Sequence, residues 1–247
     1  MSNNNLQVAY PGKECMVEQN EEYFDLVTDN GRERIRIHEY DRVYDVPGLY
    51  EEVVYNKLQC DSPQVITELL KDSMQKHGDS QVPLRVLDFG AGNGIVGECL
   101  QEAVETESIV GVDIIEEAKR AVQRDRPDIY DDYYVMDLSD VDDGDKQKLD
   151  RWNFNALVTV AALGFGDIPT QAFVNAFNLI ENNSWVVFNI KDRFFSEDDK
   201  TGYNEILQQM IGNSLKVVKK HPYCHRLSMA GEPLHYYAIV GRKENDF

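Results

Sequence analysis

Between Leu84 and Arg242 short β-branched or aliphatic runs alternate with segments whose apolar residues recur every three or four positions. The runs predict strands over Leu84–Phe89, Ile109–Asp113, Tyr133–Met136, Ala156–Val160 and Trp185–Ile190. Helices are predicted between them over Ile95–Glu105, Glu116–Arg124 and Thr170–Ile180. The last carries Ala172, Phe173, Ala176, Phe177 and Ile180 on one stripe. Such alternation argues for an α/β domain, a parallel sheet covered by helices on both faces. After a helix near Tyr203–Ile211 the rhythm changes. Leu215–Tyr223 and His235–Arg242 read as two strands with no helix between them, an antiparallel hairpin at the sheet edge. That makes a mostly parallel seven-stranded sheet, with Trp185 and Phe188 in its core.

Upstream the pattern is different. The first 20 residues carry no periodic signal and read as mobile. Tyr23 to His38 reads as a hairpin, with Asp29-Asn30-Gly31 as its turn. Leu49–Leu58 predicts a short helix. Ser62-Pro63 predicts the start of another, with Ser62 as N-cap and Val65, Ile66, Leu69, Leu70 and Met74 on its apolar face. The chain thus divides into an N-terminal extension, residues 1–60, and a main domain, residues 61–247.

Charge narrows the partners. The 44 acidic residues against 25 Lys and Arg give a net charge of −19. A chain this acidic repels nucleic-acid phosphates and anionic membranes, and its densest basic group is only Lys216, Lys219 and Lys220. The aspartate-rich stretch from Asp125 to Asp150 reads as a solvated loop face, without the ligand spacing of a calcium loop. Cys15, Cys60, Cys99 and Cys224 are widely spaced and form no metal-type pair. With no apolar run long enough to span a bilayer and no signal-peptide pattern at Met1–Asn5, a reduced, cytoplasmic protein is expected.

The chemistry concentrates after the first main-domain strand, in Asp88-Phe89-Gly90-Ala91-Gly92-Asn93-Gly94. Strand, glycine turn and helix together let a ligand lie against bare backbone at the carboxyl end of a sheet. Gly92-Asn93-Gly94-Ile95-Val96-Gly97 also fits the dinucleotide pattern, with Asp113 about twenty residues on, so a nicotinamide-dependent oxidoreductase is one reading. The other frame puts the acid first. Asp88 would repel a pyrophosphate but hold a ligand's ammonium group, directly or through water. S-adenosylmethionine offers an ammonium, a ribose diol and an adenine without any phosphate, and the terminal hairpin also favours it over a dinucleotide.

In this frame the chain resembles the class I S-adenosylmethionine-dependent methyltransferases, over about Ser62 to Arg242. The resemblance implies a Rossmann-like, doubly wound fold. It implies that Asp88, Gly90, Ala91, Gly92, Asn93 and Gly94 form the first cofactor motif. Asp113, in Gly111-Val112-Asp113, would accept the ribose hydroxyls while Ile114 packs on the adenine. Asp137 would accept from the adenine amino group between Met136 and Leu138, and Ala161 and Ala162 would lie along the methionine part. Tyr44-Asp45 and Tyr50 are similar to the Williams–Beuren-type branch, in which an N-terminal tyrosine segment folds over the cofactor.

Methyl transfer needs positioning, exclusion of water and at times a base, so no single catalytic signature is required and none is assigned. The nucleic-acid-base signature after strand four is replaced by Ala161-Ala162-Leu163-Gly164-Phe165, and no metal triad is visible. A small-molecule acceptor is therefore expected. Phe165, Asp167, Asp192, Arg193, His225 and Arg226 are candidates to reach it, with Asp167 or His225 as base and Arg193 or Arg226 holding an acidic group. Against these stands the plainer reading of His225 as a loop histidine. A non-catalytic cofactor-binding module also stays open, as does aminopropyl transfer on the same fold.

Overall fold

The computed structural model describes residues 6–12, 14, 17–29, 31–196 and 198–247. Asn30 of the predicted turn, Met1–Asn5 and Cys15 lie outside the described residues. The N-terminal region holds strands β1 (Gln7–Ala9), β2 (Tyr23–Thr28) and β3 (Gly31–Arg36), helix α1 (Tyr40–Asp45) and a π-helical segment, Glu51–Lys57. The main domain follows as α2 (Ser62–His77), β4 (Leu84–Phe89), α3 (Ile95–Ala103), β5 (Thr106–Asp113), α4 (Glu116–Asp125) and β6 (Asp132–Val135). Then come α5 (Asp143–Asp150), β7 (Ala156–Thr159), α6 (Thr170–Asn178), β8 (Trp185–Lys191), α7 (Tyr203–Asn213), β9 (Leu215–Leu227) and β10 (Pro233–Lys243).

The main sheet has seven strands in the order β6-β5-β4-β7-β8-β10-β9. β6 to β8 pair in parallel, and β10 lies antiparallel between β8 and β9. Strand order reverses at β4, where the chain winds outward to β6 and then returns to β7. A ligand crevice is expected there, beyond the carboxyl ends of β4 and β7.

Alternation along β4 sorts its side chains between two apolar layers. Leu87 and Phe89 join Leu149, Phe173, Phe177 and Leu207 from α5, α6 and α7. Leu84 and Val86 pack with Ile66, Leu70, Val96 and Leu100 from α2 and α3. Trp185 and Phe188 are buried as expected, on opposite faces.

The structure amends several expectations. Gln7–Ala9, inside the stretch read as mobile, pairs with Asp25–Val27 on β2. Part of the aspartate-rich stretch is ordered. Asp142 caps α5 by accepting from the Asp145 amide, and Asp131 accepts from the Ile109 amide at 2.8 Å. Carboxylates relieve the unpaired amides of a helix N-terminus, so a run of aspartates can start a helix. Ser62 is the first residue of α2 and not its cap; the N-cap position is Asp61. β9 and β10 run further toward their turn than the sequence pattern indicates, which carries His225 and Arg226 into a strand.

The N-terminal sheet folds back onto that hairpin. Phe24, Leu26, Ile35, Ile37, Leu49 and Leu58 form one apolar cluster with Met229. Glu22 and Arg226, 3% and 4% exposed, make a 2.7 Å ion pair across this junction, and Glu22 also accepts from the Met229 amide. Removing one member of a buried pair strands the other charge without water. Glu22→Ala should cost about 3 kcal/mol in urea unfolding. Lys146→Ala, in an exposed pair with Asp150, should cost under about 0.5 kcal/mol.

Candidate active site at the carboxyl end of the sheet

Gly90, Gly92 and Gly94 all take positive φ, 73°, 54° and 88°, so the backbone turns sharply from β4 into α3. Gly92 is the most constrained. Its amide donates to Asp113 Oδ2 at 2.8 Å and its carbonyl accepts from Tyr133 Oη at 2.8 Å. A Cβ on Gly92 would sit 2.5 Å from the Tyr44 hydroxyl. Only glycine permits both that φ and that approach.

A cleft of about 1360 Å³, part of it open to solvent, runs along this loop. Of the sequence-predicted residues, Gly90, Ala91, Gly92, Asn93, Asp113, Ile114, Met136, Asp137, Leu138, Ala161, Tyr44 and Tyr50 line it. Ile114 is 61% exposed, an apolar side chain facing the opening beside Asp113. Asp113 Oδ1 accepts from the Ile115 amide, and burial raises its pKa while those amide hydrogen bonds pull it back. Each of its oxygens keeps a lone pair for a further donor. Asp137 accepts from the hydroxyl and amide of Ser139, which hold its pKa down.

Asp88 lies elsewhere. Sharing the face of Leu84 and Val86, it points under the loop and not into the cleft, where the motif places it against an ammonium. It is fully buried, with Oδ2 accepting from Tyr130 Oη at 2.7 Å and no protein partner on Oδ1 among the described residues. Burial pushes its pKa up to about 7, and the nearby Asp113 adds to the rise. Gly94 is not among the lining residues either; Tyr130 and Val122 pack on it.

The N-terminal region closes one side. Glu51 Oε1 accepts from Asn93 Nδ2 at 2.8 Å and from Arg126 Nη1 at 3.0 Å, and the Tyr44 carbonyl accepts from Arg124. Tyr40, Tyr44 and Tyr50 stand in sequence, ring centroids 5.8 and 5.1 Å apart.

The same cleft is also lined by Gln19, His38, Tyr40, Phe165, Asp167, His225, Arg226 and Tyr236. His38 Nδ1 lies 2.9 Å from Asp167 Oδ2. Arg193 stacks over Phe165 at 4.3 Å, outside the lining, and Asp192 begins a short 3₁₀ turn beside it. His225 is no loop residue; it sits in β9 with its ring 4.2 Å from that of Tyr236. Sequence reasoning missed His38, Tyr40, Gln19 and Tyr236. A lone histidine after a hairpin carries no pattern, and only the folding back of the N-terminal sheet brings it to Asp167.

No family model matches the chain. Over 182 residues it is 25% identical to the mitochondrial ubiquinone biosynthesis O-methyltransferase of Candida albicans, a match covering 69% of this chain and 50% of that protein. The chain thus spans about half the length of the curated relative it matches. Among solved structures, the magnesium protoporphyrin IX methyltransferase of Synechocystis, with S-adenosylmethionine bound, superposes at a TM-score of 0.51. It is 14% identical, over 83% of this chain and 96% of that one. A Pyrococcus horikoshii protein provisionally named an RNA methyltransferase gives a TM-score of 0.52 at 14% identity, over 77% and 90%. These likenesses show the fold, and acceptors as different as a porphyrin and an RNA share it. The chain has the fold of the class I S-adenosylmethionine-dependent methyltransferases. The antiparallel hairpin at the sheet edge, β8-β10-β9, is part of that likeness.

Asp113 Oδ2 and Oδ1 both face amide donors, so the amide group of Asp113→Asn would oppose one of them and displace the loop. Calorimetry with S-adenosylhomocysteine should show binding weakened about tenfold or more. For Asp88, the folded pKa near 7 exceeds the ordinary 3.8. The folded protein therefore holds an extra proton between those values, and stability falls as pH rises through that window. The loss is on the order of a few kcal/mol. Asp88→Asn should flatten the dependence of the unfolding midpoint between pH 4.5 and 7.5, and a variant that keeps the wild-type slope would place the effect elsewhere.

Proposed function

We propose that the chain is an S-adenosylmethionine-dependent methyltransferase acting on a hydroxyl group of a small molecule. Residues 61–247 form its catalytic domain and residues 1–60 its cover. The observation that carries this is one cleft lined both by the Gly90–Asn93 loop with Asp113 and by the His38–Asp167 pair. In this reading Asp113 receives the ribose hydroxyls, and Ile114, Met136 and Leu138 flank the adenine above Asp137. Ala161 lies along the methionine part, and Tyr44 and Tyr50 cover it, as the likeness to the Williams–Beuren-type branch suggests.

When bound, S-adenosylmethionine supplies a methyl group on a sulfonium, already activated for displacement. The protein's share is to align the acceptor, keep water out and take the acceptor's proton. An ionised Asp167 only accepts hydrogen bonds, so it holds the His38 proton on Nδ1 and leaves Nε2 as a lone-pair acceptor. That tautomer suits a base. Phe165, with its ring 5.9 Å from that of His38, shields the pair on one side.

The net charge of −19 and the cover of one side of the cleft by the N-terminal region support a small acceptor over a nucleic acid. Among the described residues no helix is long and apolar enough to cross a membrane. Cys60, Cys99 and Cys224 are free, which supports a reducing, cytoplasmic setting.

Calorimetry should detect S-adenosylmethionine and S-adenosylhomocysteine, and a panel of phenols and hydroxy acids should yield S-adenosylhomocysteine on incubation. Binding without turnover on any acceptor would instead favour a non-catalytic module. With an acceptor in hand, His38→Ala should lower kcat about 10²–10⁴-fold while leaving S-adenosylhomocysteine affinity within a few-fold. Unchanged kcat would remove His38 as the base.

A further inference from the structure

His225 lines the cleft in the opposite protonation pattern from His38, and the cause is a hydrogen-bond chain that starts at a backbone amide. The Ala161 amide can only donate, so Asn189 presents Oδ1 to it at 2.6 Å. Asn189 Nδ2 then donates to Tyr223 Oη at 2.7 Å. The phenolic proton is thereby directed onward to Ser62 Oγ, 2.7 Å away. Ser62 in turn gives its proton to His225 Nδ1 at 2.6 Å. A neutral imidazole with an unprotonated Nδ1 carries its one proton on Nε2. Among the described residues Nε2 has no protein partner, and the ring belongs to the cleft wall.

The backbone aims the ring. β9 slips register against β10: Arg226 opposes Leu234 while Cys224 opposes His235, so His225 is an extra residue at a bulge. A bulge breaks the alternation of a strand, and here consecutive His225 and Arg226 are both buried. This explains Ser62 as well. A buried serine at the start of α2 that caps nothing is accounted for by its place between Tyr223 and His225.

Charge on this side of the cleft favours an anion. Burial, helped by the charges of Arg226 and Lys191, pushes the pKa of His225 well below the ordinary imidazole value, so it stays neutral. Cys60, 3.8 Å from Nδ1, is held as a thiol with its pKa pushed up to about 11 by burial. Tyr236, packed on the ring, is likewise pushed up to about 12, and burial raises the pKa of Tyr223. Glu22 is paired with Arg226 and the Met229 amide. Lys191 Nζ donates to Gln19 Oε1, whose amide nitrogen donates to Tyr236 Oη. Asp167 is occupied by His38.

We propose that His225 is a fixed hydrogen-bond donor for the acceptor, presenting Nε2–H to an anionic oxygen such as a carboxylate. The substrate class is then a planar hydroxy acid, its hydroxyl toward His38 and its acid group toward His225, between the rings of Tyr40, Phe165 and Tyr236. His225 is a specificity residue and not the base. This deepens the hydroxyl-methylation reading and rests on it, although the tautomer itself does not.

Two measurements on the full chain test it. In protein labelled with ¹⁵N-histidine, long-range ¹H–¹⁵N spectra, assigned by comparison with His225→Gln, should show His225 protonated on Nε2 alone from pH 6 to 8. Ser62→Ala should shift it toward a mixture of tautomers. An imidazolium, or a proton on Nδ1, at pH 7 in the wild type would overturn the proposal. Second, protein saturated with S-adenosylhomocysteine is titrated with benzoate, phenol and benzylamine. Benzoate should bind tightest of the three and move the His225 Nε2–H resonance. His225→Leu should weaken benzoate about tenfold or more, whereas His225→Gln, which keeps a donor, should stay within about threefold. No benzoate binding, a preference for benzylamine, or equal affinity in His225→Leu would overturn it. Failure of S-adenosylhomocysteine itself to bind would instead sink the methyltransferase reading and leave the tautomer result standing.

Discussion

Gly92 is where the rest of the structure meets. Its amide is held by Asp113 from β5, its carbonyl by Tyr133 from β6, and its bare α-carbon lies under the Tyr44 hydroxyl from α1. Three separate elements thus converge on one residue that has no side chain. The strand order brings β5 and β6 to one side of β4, and the glycine lets the loop bend back toward them. The crevice at the switch point, its floor of unobstructed backbone and its tyrosine cover all depend on that convergence. The ion pairs of Arg126 with Glu51 and Glu98 hold the same corner from outside.

Much of this is legible in the sequence because the main domain obeys strict periodicities. Runs buried on both faces, amphipathic helices between them and two final strands without a helix lead to this sheet, and the acid-first glycine motif leads to its crevice. Asp88 shows where motif reasoning stops and alternation should continue. Its partners along the strand, Leu84 and Val86, already point to the α2–α3 layer. A carboxylate on that face goes under the loop.

The part of the cleft lined by the two histidines is less legible, for a different physical reason. His38, Tyr40 and Gln19 belong to a region whose place is set by long-range packing on Met229 and by the Glu22–Arg226 pair, more than 200 residues apart in the chain. Local patterns carry no record of such a contact. His225 and Arg226 are legible as candidates but not as strand residues, since a bulge disguises the alternation that marks a strand. The two histidines also differ through their partners alone. A carboxylate on Nδ1 makes His38 an acceptor at Nε2, whereas a hydroxyl chain on Nδ1 makes His225 a donor there.

The slip in the terminal hairpin makes the site sensitive to residue number as well as residue type. With period-two geometry, one residue fewer in β9 between Cys224 and Arg226 would restore an ordinary ladder and leave the sheet's hydrogen bonding intact. It would also turn a wall of the cleft inside out. Homologous chains that keep every other residue named here would still differ in the shape of this cleft, if their hairpins count differently at this one position.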